Sequence, residues 1–247
     1  MHRIAISAVV IVAAASPIAV ADGIIHTLPK DRTWVQYKMS GSETSRNGKV
    51  EKFRGTVTVS SVGTETIDGV KHRWIEFRHT WQNVTRGDKD DRVRILKCLI
   101  PEKQIGKGKT PSAHIVRGWR SGFLGSKGKG RPRSARRSDG SGSWDLSQPG
   151  GAFLGGPLKN SKTLKPKTIE TKLGKFKSGG LYGEFEVKTG RANVPFTLTV
   201  WTSDKVPFGV ARFEITGKEA PRGDAIMMVG TVAEKGIGAK SELPEQK

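Results

Sequence analysis

The residues best suited to chemistry are the basic ones of residues 103–137, where Lys and Arg recur and no Asp or Glu intervenes. Flexible Lys/Arg segments neutralise phosphate or sulfate groups and release counterions, so their affinity falls as salt rises. The glycines and serines between them predict a segment that orders only on meeting an anion. The candidate anion-binding residues are Lys107, Lys109, Arg117, Arg120, Lys127, Lys129, Arg131, Arg133, Arg136 and Arg137.

The charge of the whole chain points the same way. Lys and Arg number 43 against 23 Asp and Glu, a net charge of +20 over 247 residues. A field of this sign attracts anionic polymers and surfaces, and it says nothing about the fold. The alternative is that the basic segment is a solvated insertion without a partner.

The N-terminal residues decide which anions are available. Residues 1–3 are basic, residues 4–15 are apolar, and Ala19-Val20-Ala21 has the A-x-A pattern of a cleavage site. This order predicts a secretory signal peptide at 1–21, with an uncleaved anchor as the alternative. No second apolar run of spanning length follows, so we expect residues 22–247 to be one exported domain, periplasmic or secreted, without a transmembrane segment. Export favours an envelope or matrix polymer over nucleic acid.

Two short motifs resemble ligand loops and fail on their spacing. Residues 106–110, GKGKT, end like a phosphate-binding P-loop, but the glycine required earlier is replaced by Lys103. Asp88, Asp90 and Asp91 could bind a hard cation, yet the rest of a calcium loop is missing. We therefore predict a hairpin turn at these aspartates and no metal site.

The residues that could catalyse a reaction also lack partners in the sequence. His72 and His79 fall on opposite faces of one predicted strand and cannot chelate one metal there. Glu184 and Glu186 share a face and could do acid–base work, but such pairs are commoner on a solvated face. Cys98 lies in an apolar strand and is expected to be a core residue. The prediction is a non-catalytic protein without cofactors, and an undetected hydrolase is the alternative.

The elements that would position these residues are mostly strands. In residues 194–216 apolar and polar residues alternate on either side of a break at 206–209, which predicts two half-buried strands joined by a turn. Arg212 and Glu214 share the wet face of the second strand and could pair. Similar alternation predicts roughly nine strands in total, and both faces of residues 72–81 carry aromatic residues. The fold class predicted is mainly β, an antiparallel meander forming a half barrel or open barrel.

Several boundaries follow from local composition. Asp68-Gly69 predicts a tight hairpin, and Ser178-Gly179-Gly180 predicts another turn. A short helix is expected from Thr110 to about Arg120, since Thr110-Pro111 is a helix-start signal. Residues 121–161 have no periodicity and predict a long disordered basic insert. The polar tail from residue 234 is expected to fray.

One segment carries a family resemblance. Residues 201–210, WTSDKVPFGV, with Arg212 and Glu214 after them, resemble the W-x-S-x-x-V-P-x-G strand–turn–strand of exported LolA-like (lipoprotein-carrier) proteins. They also resemble uncharacterised secreted proteins of planctomycete bacteria. The LolA-like resemblance implies a half barrel curled around an apolar cavity, and therefore a carrier of an apolar or lipid ligand. Polymer binding through the basic segment is the main prediction from the sequence, with this carrier function and the undetected hydrolase as alternatives.

Overall fold

The computed structural model describes residues 25–45, 47–89, 91–121, 132–135, 158–189, 192–219 and 224–243. The predicted signal peptide lies outside them. The described strands are β1 (Thr33–Thr44), β2 (Val50–Ile67), β3 (Val70–Asn83), β4 (Arg92–Pro101), β5 (Arg117–Ser121), β6 (Pro132–Ala135), β7 (Lys159–Thr171), β8 (Gly174–Thr189), β9 (Ala192–Thr202), β10 (Val210–Glu219) and β11 (Asp224–Ile237). Short 3-10 turns cover Glu102–Gln104, Pro111–His114 and Pro207–Gly209. None of the helices in the described ranges has the length and apolarity needed to cross a bilayer.

All eleven strands form one antiparallel sheet in the order β6-β5-β4-β3-β2-β1-β11-β10-β9-β8-β7. The chain enters at the middle, moves outward strand by strand to β6, crosses to β7 at the other edge, and returns to β11 beside β1. Every neighbour except the β1–β11 pair is consecutive in sequence, which is the arrangement of two meanders joined at their first and last strands. The predicted mainly-β, antiparallel, open architecture is confirmed.

Alternation along the strands assigns the side chains to an inner and an outer face. The inner face is apolar and forms the main core, and the outer face carries most of the charged residues of the same strands. Tyr37 and Phe213 meet edge to face, with ring centroids 5.7 Å apart. The buried inner-face residues include Val35, Tyr37, Met39, Val57, Val59, Ile75, Phe77, Leu198, Val200, Phe213, Ile215, Met228 and Val232.

Glycines opposite aromatic rings let this face fill without voids. Gly230 pairs with Phe213 across β10 and β11, and a Cβ at Gly230 would collide with the Phe213 ring. Gly41 pairs with Phe53 in the same manner across β1 and β2. Each ring lies over the backbone of its glycine, a device that bends a sheet and covers an otherwise bare strand. Any larger residue at Gly41 or Gly230 would push the ring off the sheet.

The helix predicted from Thr110 to about Arg120 does not form in the structure. Only Pro111–His114 forms a 3-10 turn, and Arg117–Ser121 is β5, so the helical prediction through Arg120 is wrong. The Val116 N–H donates to the Leu99 carbonyl over 2.9 Å, and β5 then pairs along β4. A short helix gains little on its own, whereas the open edge of β4 offers a full row of hydrogen-bond partners.

The predicted basic insert contains regular structure at two places. Pro132–Ala135 is β6, paired to β5 at the edge of the sheet, and β7 begins at Lys159. The prediction of a structureless 121–161 segment is therefore wrong for these residues. Residues 122–131 and 136–157 lie outside the described ranges.

The predicted turn at Ser178–Gly180 is also wrong. β8 runs unbroken from Gly174 to Thr189, and the turn between β7 and β8 falls at Lys172-Leu173. Ser178 and Gly180 are buried, and a Cβ at Gly180 would approach the Leu164 side chain to 2.8 Å. The small residues there permit close packing of β7 against β8 and make no turn.

The β7–β8 hairpin extends beyond its neighbour β9, whose last residue, Thr202, pairs with Gly179. This extension, residues 165–178, is called the hairpin arm. It folds back over the outer face: its strand β7 approaches β10 and β11, and the Lys167 ammonium lies 3.5 Å from the ring centroid of outward-facing Trp201. Ile169 and Phe176, which belong to the arm, are buried.

A second segment covers the outer face near β3. The Ala239 N–H donates to the Arg32 carbonyl over 2.9 Å, the Ser241 hydroxyl donates to Glu76 Oε2 over 2.7 Å, and Leu243 is buried. The prediction of a frayed tail from residue 234 is therefore wrong through Leu243. The expectation that the sheet is covered on both sides near residues 72–81 is confirmed.

Truncating the central ring should show how much stability the inner face supplies. Phe213→Ala is expected to lower the free energy of unfolding by roughly 3–5 kcal/mol, because it leaves a cavity over Gly230. Met227→Ala, on the same sheet but with a side chain that is half exposed, should cost about 0.5 kcal/mol or less. Urea denaturation measures both, and equal losses in the two variants would contradict this account of the core.

Candidate ligand-binding groove

The described inner face holds its own side chains. Tyr37, Phe77, Phe208 and Phe213 are each at most 1% exposed, and the Tyr37 hydroxyl donates across the interior to the Val210 carbonyl over 3.2 Å. Phe208 reaches the core from the 3-10 turn at Pro207–Gly209. These rings occupy the place where the LolA-like resemblance implies a ligand.

An open groove of about 560 Å³ lies instead on the outer face, at one end of β8, β9, β10, β11 and β1. Strand register explains its position, because directly paired residues project to the same face. One row of pairs runs from strand to strand and consists of Ser42, Met227, Thr216, Thr197 and Glu184. The full lining is Ser42, Thr44, Glu184, Pro195, Phe196, Thr197, Thr216, Gly217, Ala225, Ile226 and Met227.

The lining is largely apolar with a few hydroxyl groups. Met227, the second residue of the row, is 51% exposed. Glu184, the carboxylate of the lining, accepts hydrogen bonds from Asn160 Nδ2 over 2.7 Å and from the Tyr182 hydroxyl over 3.4 Å. A concave apolar surface of this volume with a few placed polar groups is typical of a site for a small ligand.

The described basic residues predicted from the sequence lie away from the groove, around the β5–β6 edge. Lys107 and Lys109 are in the turn after β4, and Arg117 and Arg120 are in β5. The exposed Arg117 already has partners within the same chain. Its guanidinium donates to Glu65 and lies 5.7 Å from the Trp74 ring centroid.

The strand register adds one more feature to this edge. It pairs Arg120 of β5 with Arg133 of β6, so two basic positions adjoin at this edge. The remaining predicted anion-binding residues lie outside the described ranges: Lys127, Lys129, Arg131, Arg136 and Arg137.

Where they are described, the candidate glutamates and aspartates form ion pairs and hydrogen bonds within the protein. Glu186 pairs with the Lys159 ammonium at 3.0 Å, as a solvated strand face would. Asp88 Oδ2 accepts from the Asn83 N–H over 3.4 Å and approaches Arg92 Nη2 to 3.6 Å, within the predicted turn. Among the described residues, no three His, Cys, Asp or Glu side chains converge as metal ligands.

Four buried ionisable groups have pKa values shifted mainly by burial, and one of them is Tyr37, whose pKa burial raises. Burial raises the pKa of the Cys98 thiol, in agreement with its expected place in the core. Burial also raises the pKa of Glu76, although hydrogen bonds from Ser241 and from the Glu242 N–H oppose that change. Burial lowers the pKa of His79 to about 3, and the nearby positive charge of Arg94 adds to the effect.

Reasoning from the sequence missed the cations of the hairpin arm and its strand. Lys162 Nζ lies 4.8 Å from the Tyr182 ring centroid, and Lys167 covers Trp201. The arm also carries exposed Lys165, Lys172 and Lys175. The only signal in the sequence was a run of lysines from 159 to 177, whose spacing fits no motif.

Comparisons with known proteins give a general similarity of fold. No protein-family model matches the chain, and no curated protein matches it. Among solved structures, a candidate exported protein of Bacteroides fragilis with a YmcC-like fold has a TM-score of 0.36 at 7% identity, covering 86% of this chain and 99% of that one. A LolA superfamily protein of Nitrosomonas europaea has a TM-score of 0.27 at 10% identity, covering 92% and 93%.

A DUF1329 family protein of Desulfovibrio piger has a TM-score of 0.30 at 8% identity, covering 82% of this chain and 85% of that one. One of the similar structures is thus described as a LolA superfamily protein. The resemblance to planctomycete proteins stays a prediction. At these scores the comparisons assign no ligand, and the groove must be interpreted from its own geometry.

His79 should make stability depend on pH. Its folded pKa of about 3 lies below the unfolded value near 6.5. Between these two pH values His79 is protonated in the unfolded chain and neutral in the folded protein. Stability should fall between about pH 6.5 and pH 3, by roughly 1.4 kcal/mol per pH unit at most, and then level off.

His79→Phe keeps an aromatic ring against Trp81, with which His79 stacks at 4.6 Å. This variant should lose less stability than the wild type when urea denaturation at about pH 7 is compared with about pH 4. Identical losses in the two proteins would show that His79 is not the group responsible.

Proposed function

We propose that this protein is an exported, non-catalytic binding protein that carries a small apolar or lipid-like ligand in the outer-face groove. The observation that carries the proposal is the groove itself, about 560 Å³ with a largely apolar lining that includes the half-exposed Met227. Ligand sites commonly have this size and character. The LolA-like resemblance implies a ligand on the inner face, which is filled by side chains in this protein. The proposed ligand site is on the outer face instead.

The energetics of the groove favour an apolar occupant. Met227, Ala225 and Pro195 share the outer face and present hydrocarbon surface that a ligand would remove from water, a gain of roughly 25 cal/mol per Å². The Ser and Thr hydroxyl groups of the lining can hydrogen-bond to water or to one polar end of a ligand. Glu184 is already held by Asn160 and Tyr182, which suits a carboxylate that orders the wall of the groove.

A charge placed in the groove should remove apolar binding. With the uncharged fluorescent probe N-phenyl-1-naphthylamine, we expect saturable fluorescence enhancement by the wild type, and at least about tenfold weaker binding by Met227→Glu, because a carboxylate would be desolvated against the probe. Titration at constant salt measures both dissociation constants.

The matched control is Ile237→Glu. Ile237 is on the same strand, is 85% exposed, and lies outside the groove lining, so this variant should bind the probe like the wild type. Equal binding by Met227→Glu and the wild type would contradict the groove as the site.

A second candidate function is contact with an anionic envelope or matrix polymer through the basic segment. It is supported by the pairing of β5 with β6, which sets Arg120 opposite Arg133 at the sheet edge, with exposed Lys107 and Lys109 in the nearby turn. The net charge of +20 would strengthen such contact over a long range. The two functions use opposite halves of the sheet and are compatible.

Heparin chromatography distinguishes local contact from overall charge. Lys107→Gln/Lys109→Gln/Arg120→Gln should elute at distinctly lower salt than a control that loses the same charge elsewhere, because specific phosphate- or sulfate-like contacts add to the general field. The control is Lys30→Gln/Lys89→Gln/Lys240→Gln, at exposed positions away from β5. Coincident elution of the two triple variants would contradict a dedicated binding edge.

A further inference from the structure

Glu184 is the charged residue of the described groove lining, and it lies at the β8 end of the row that begins at Ser42. Met227 is three strands away, on β11. Neighbouring strands of a sheet are about 4.8 Å apart, so the two residues are separated by about 14 Å along the row. The groove thus carries its negative charge at one end and the half-exposed Met227 toward the other.

Neutral groups hold the Glu184 carboxylate in place. A register shift in β7 falls between Lys159 and Lys162, and Asn160 within it donates from Nδ2 to Glu184 Oε2 over 2.7 Å. The Tyr182 hydroxyl donates to Oε1 over 3.4 Å. A carboxylate oxygen can accept two hydrogen bonds, and Glu184 is only half-buried. Each of its oxygens can therefore accept one more hydrogen bond, from a ligand.

The two lysines of β7 beside this end of the groove have other partners. Lys159, which the strand register pairs with Glu184, forms its ion pair with Glu186 at 3.0 Å. Lys162 Nζ lies 4.8 Å from the Tyr182 ring centroid. An anionic ligand head placed here would meet the Glu184 carboxylate, and like charges brought together at a binding site are unfavourable.

Hydroxyl groups continue the row from Glu184 toward Met227. Thr197 pairs directly with Glu184 across β8 and β9, and its hydroxyl lies 2.5 Å from that of Thr216. A hydroxyl both donates and accepts hydrogen bonds, whereas an ammonium only donates. A head with several hydroxyls can therefore donate to Glu184 and also exchange hydrogen bonds with Thr197. The net charge of +20 further disfavours the approach of a cationic head.

We infer that the ligand is a single-chain amphiphile with an uncharged, hydroxyl-bearing head, which donates hydrogen bonds to Glu184 while the tail lies against Met227. This inference rests on the proposed function. It adds the end of the groove that the head occupies and the charge that the head lacks. Glycerol and sugar heads share this chemistry.

The experiment measures displacement of N-phenyl-1-naphthylamine from the full-length protein by four ligands with a tail of the same length, below their aggregation limits. Decanoate is an anion and decylamine a cation at about pH 8, and 1-monodecanoylglycerol and decyl glucoside are neutral. In the wild type, the better neutral ligand should compete at about tenfold lower concentration than decanoate. Decylamine should compete less well than that neutral ligand, whose identity distinguishes a glycerol head from a sugar head.

Glu184→Gln keeps the shape of the side chain and removes its charge. It should bind the uncharged probe like the wild type, and its preference for the neutral ligand over decanoate should shrink to about twofold. Glu186→Gln is the matched control, because it removes the same charge from the same strand outside the groove lining, and it should keep the full preference. The ligands differ in hydrophobicity equally for every variant, so a changed preference reports on Glu184.

The inference is overturned, with the proposed function intact, if decanoate or decylamine is the strongest competitor in the wild type. It is also overturned if Glu184→Gln keeps the wild-type preference, or if Glu186→Gln loses that preference equally. If the wild type does not bind the probe saturably, or Met227→Glu binds it as tightly as the wild type, the groove is not a site, and the proposed function fails together with the inference.

Discussion

The hydrogen-bonded ladder between β1 and β11 holds the molecule together. It pairs Thr33 with Ile237 at one end and Thr44 with Ala225 at the other, with one irregularity near Gln36. All other strand pairs join consecutive strands, so without this ladder the chain would be two separate meanders with two short cores. Because the pairing closes a loop of nearly the whole chain, its entropic cost is large, and burial of the shared inner face must offset it.

The packing of the inner face limits where a ligand could bind. Its aromatic rings fill the concavity, and the glycines beneath Phe53 and Phe213 let the strands bend around them. The same packing keeps ionisable groups such as His79 away from solvent, and burial depresses the pKa of that histidine. The outer face is different, since within the described ranges it is covered only in part, by the hairpin arm and by residues 238–243.

Partial cover creates the contrast on which our proposals depend. Where the arm lies on the sheet, Trp201, Ile169 and Phe176 are buried; where the arm ends, Met227 and its neighbours face solvent. The described outer face therefore has a covered apolar part, where Lys167 of the arm lies over the Trp201 ring, and an open apolar part at the groove.

Much of this architecture follows from local patterns in the sequence. Alternation in residues 194–216 predicted β9, β10 and the turn at 206–209, and it predicted the shared face on which Arg212 and Glu214 now pair. Asp68-Gly69 predicted the β2–β3 hairpin, which the structure confirms. These features depend on residues that are near one another in the chain, so the sequence by itself determined them.

The tertiary structure alone decided the rest. Ser178–Gly180 has the composition of a turn but lies within a strand, because Leu164 packs closely against Gly180. The local sequence allowed a helix through part of Arg117–Ser121, but these residues pair with the edge of β4 and form a strand. The groove row joins strands far apart in sequence, from Ser42 of β1 to Glu184 of β8. Such contacts arise only when distant segments pack, and no local periodicity encodes which strands will meet.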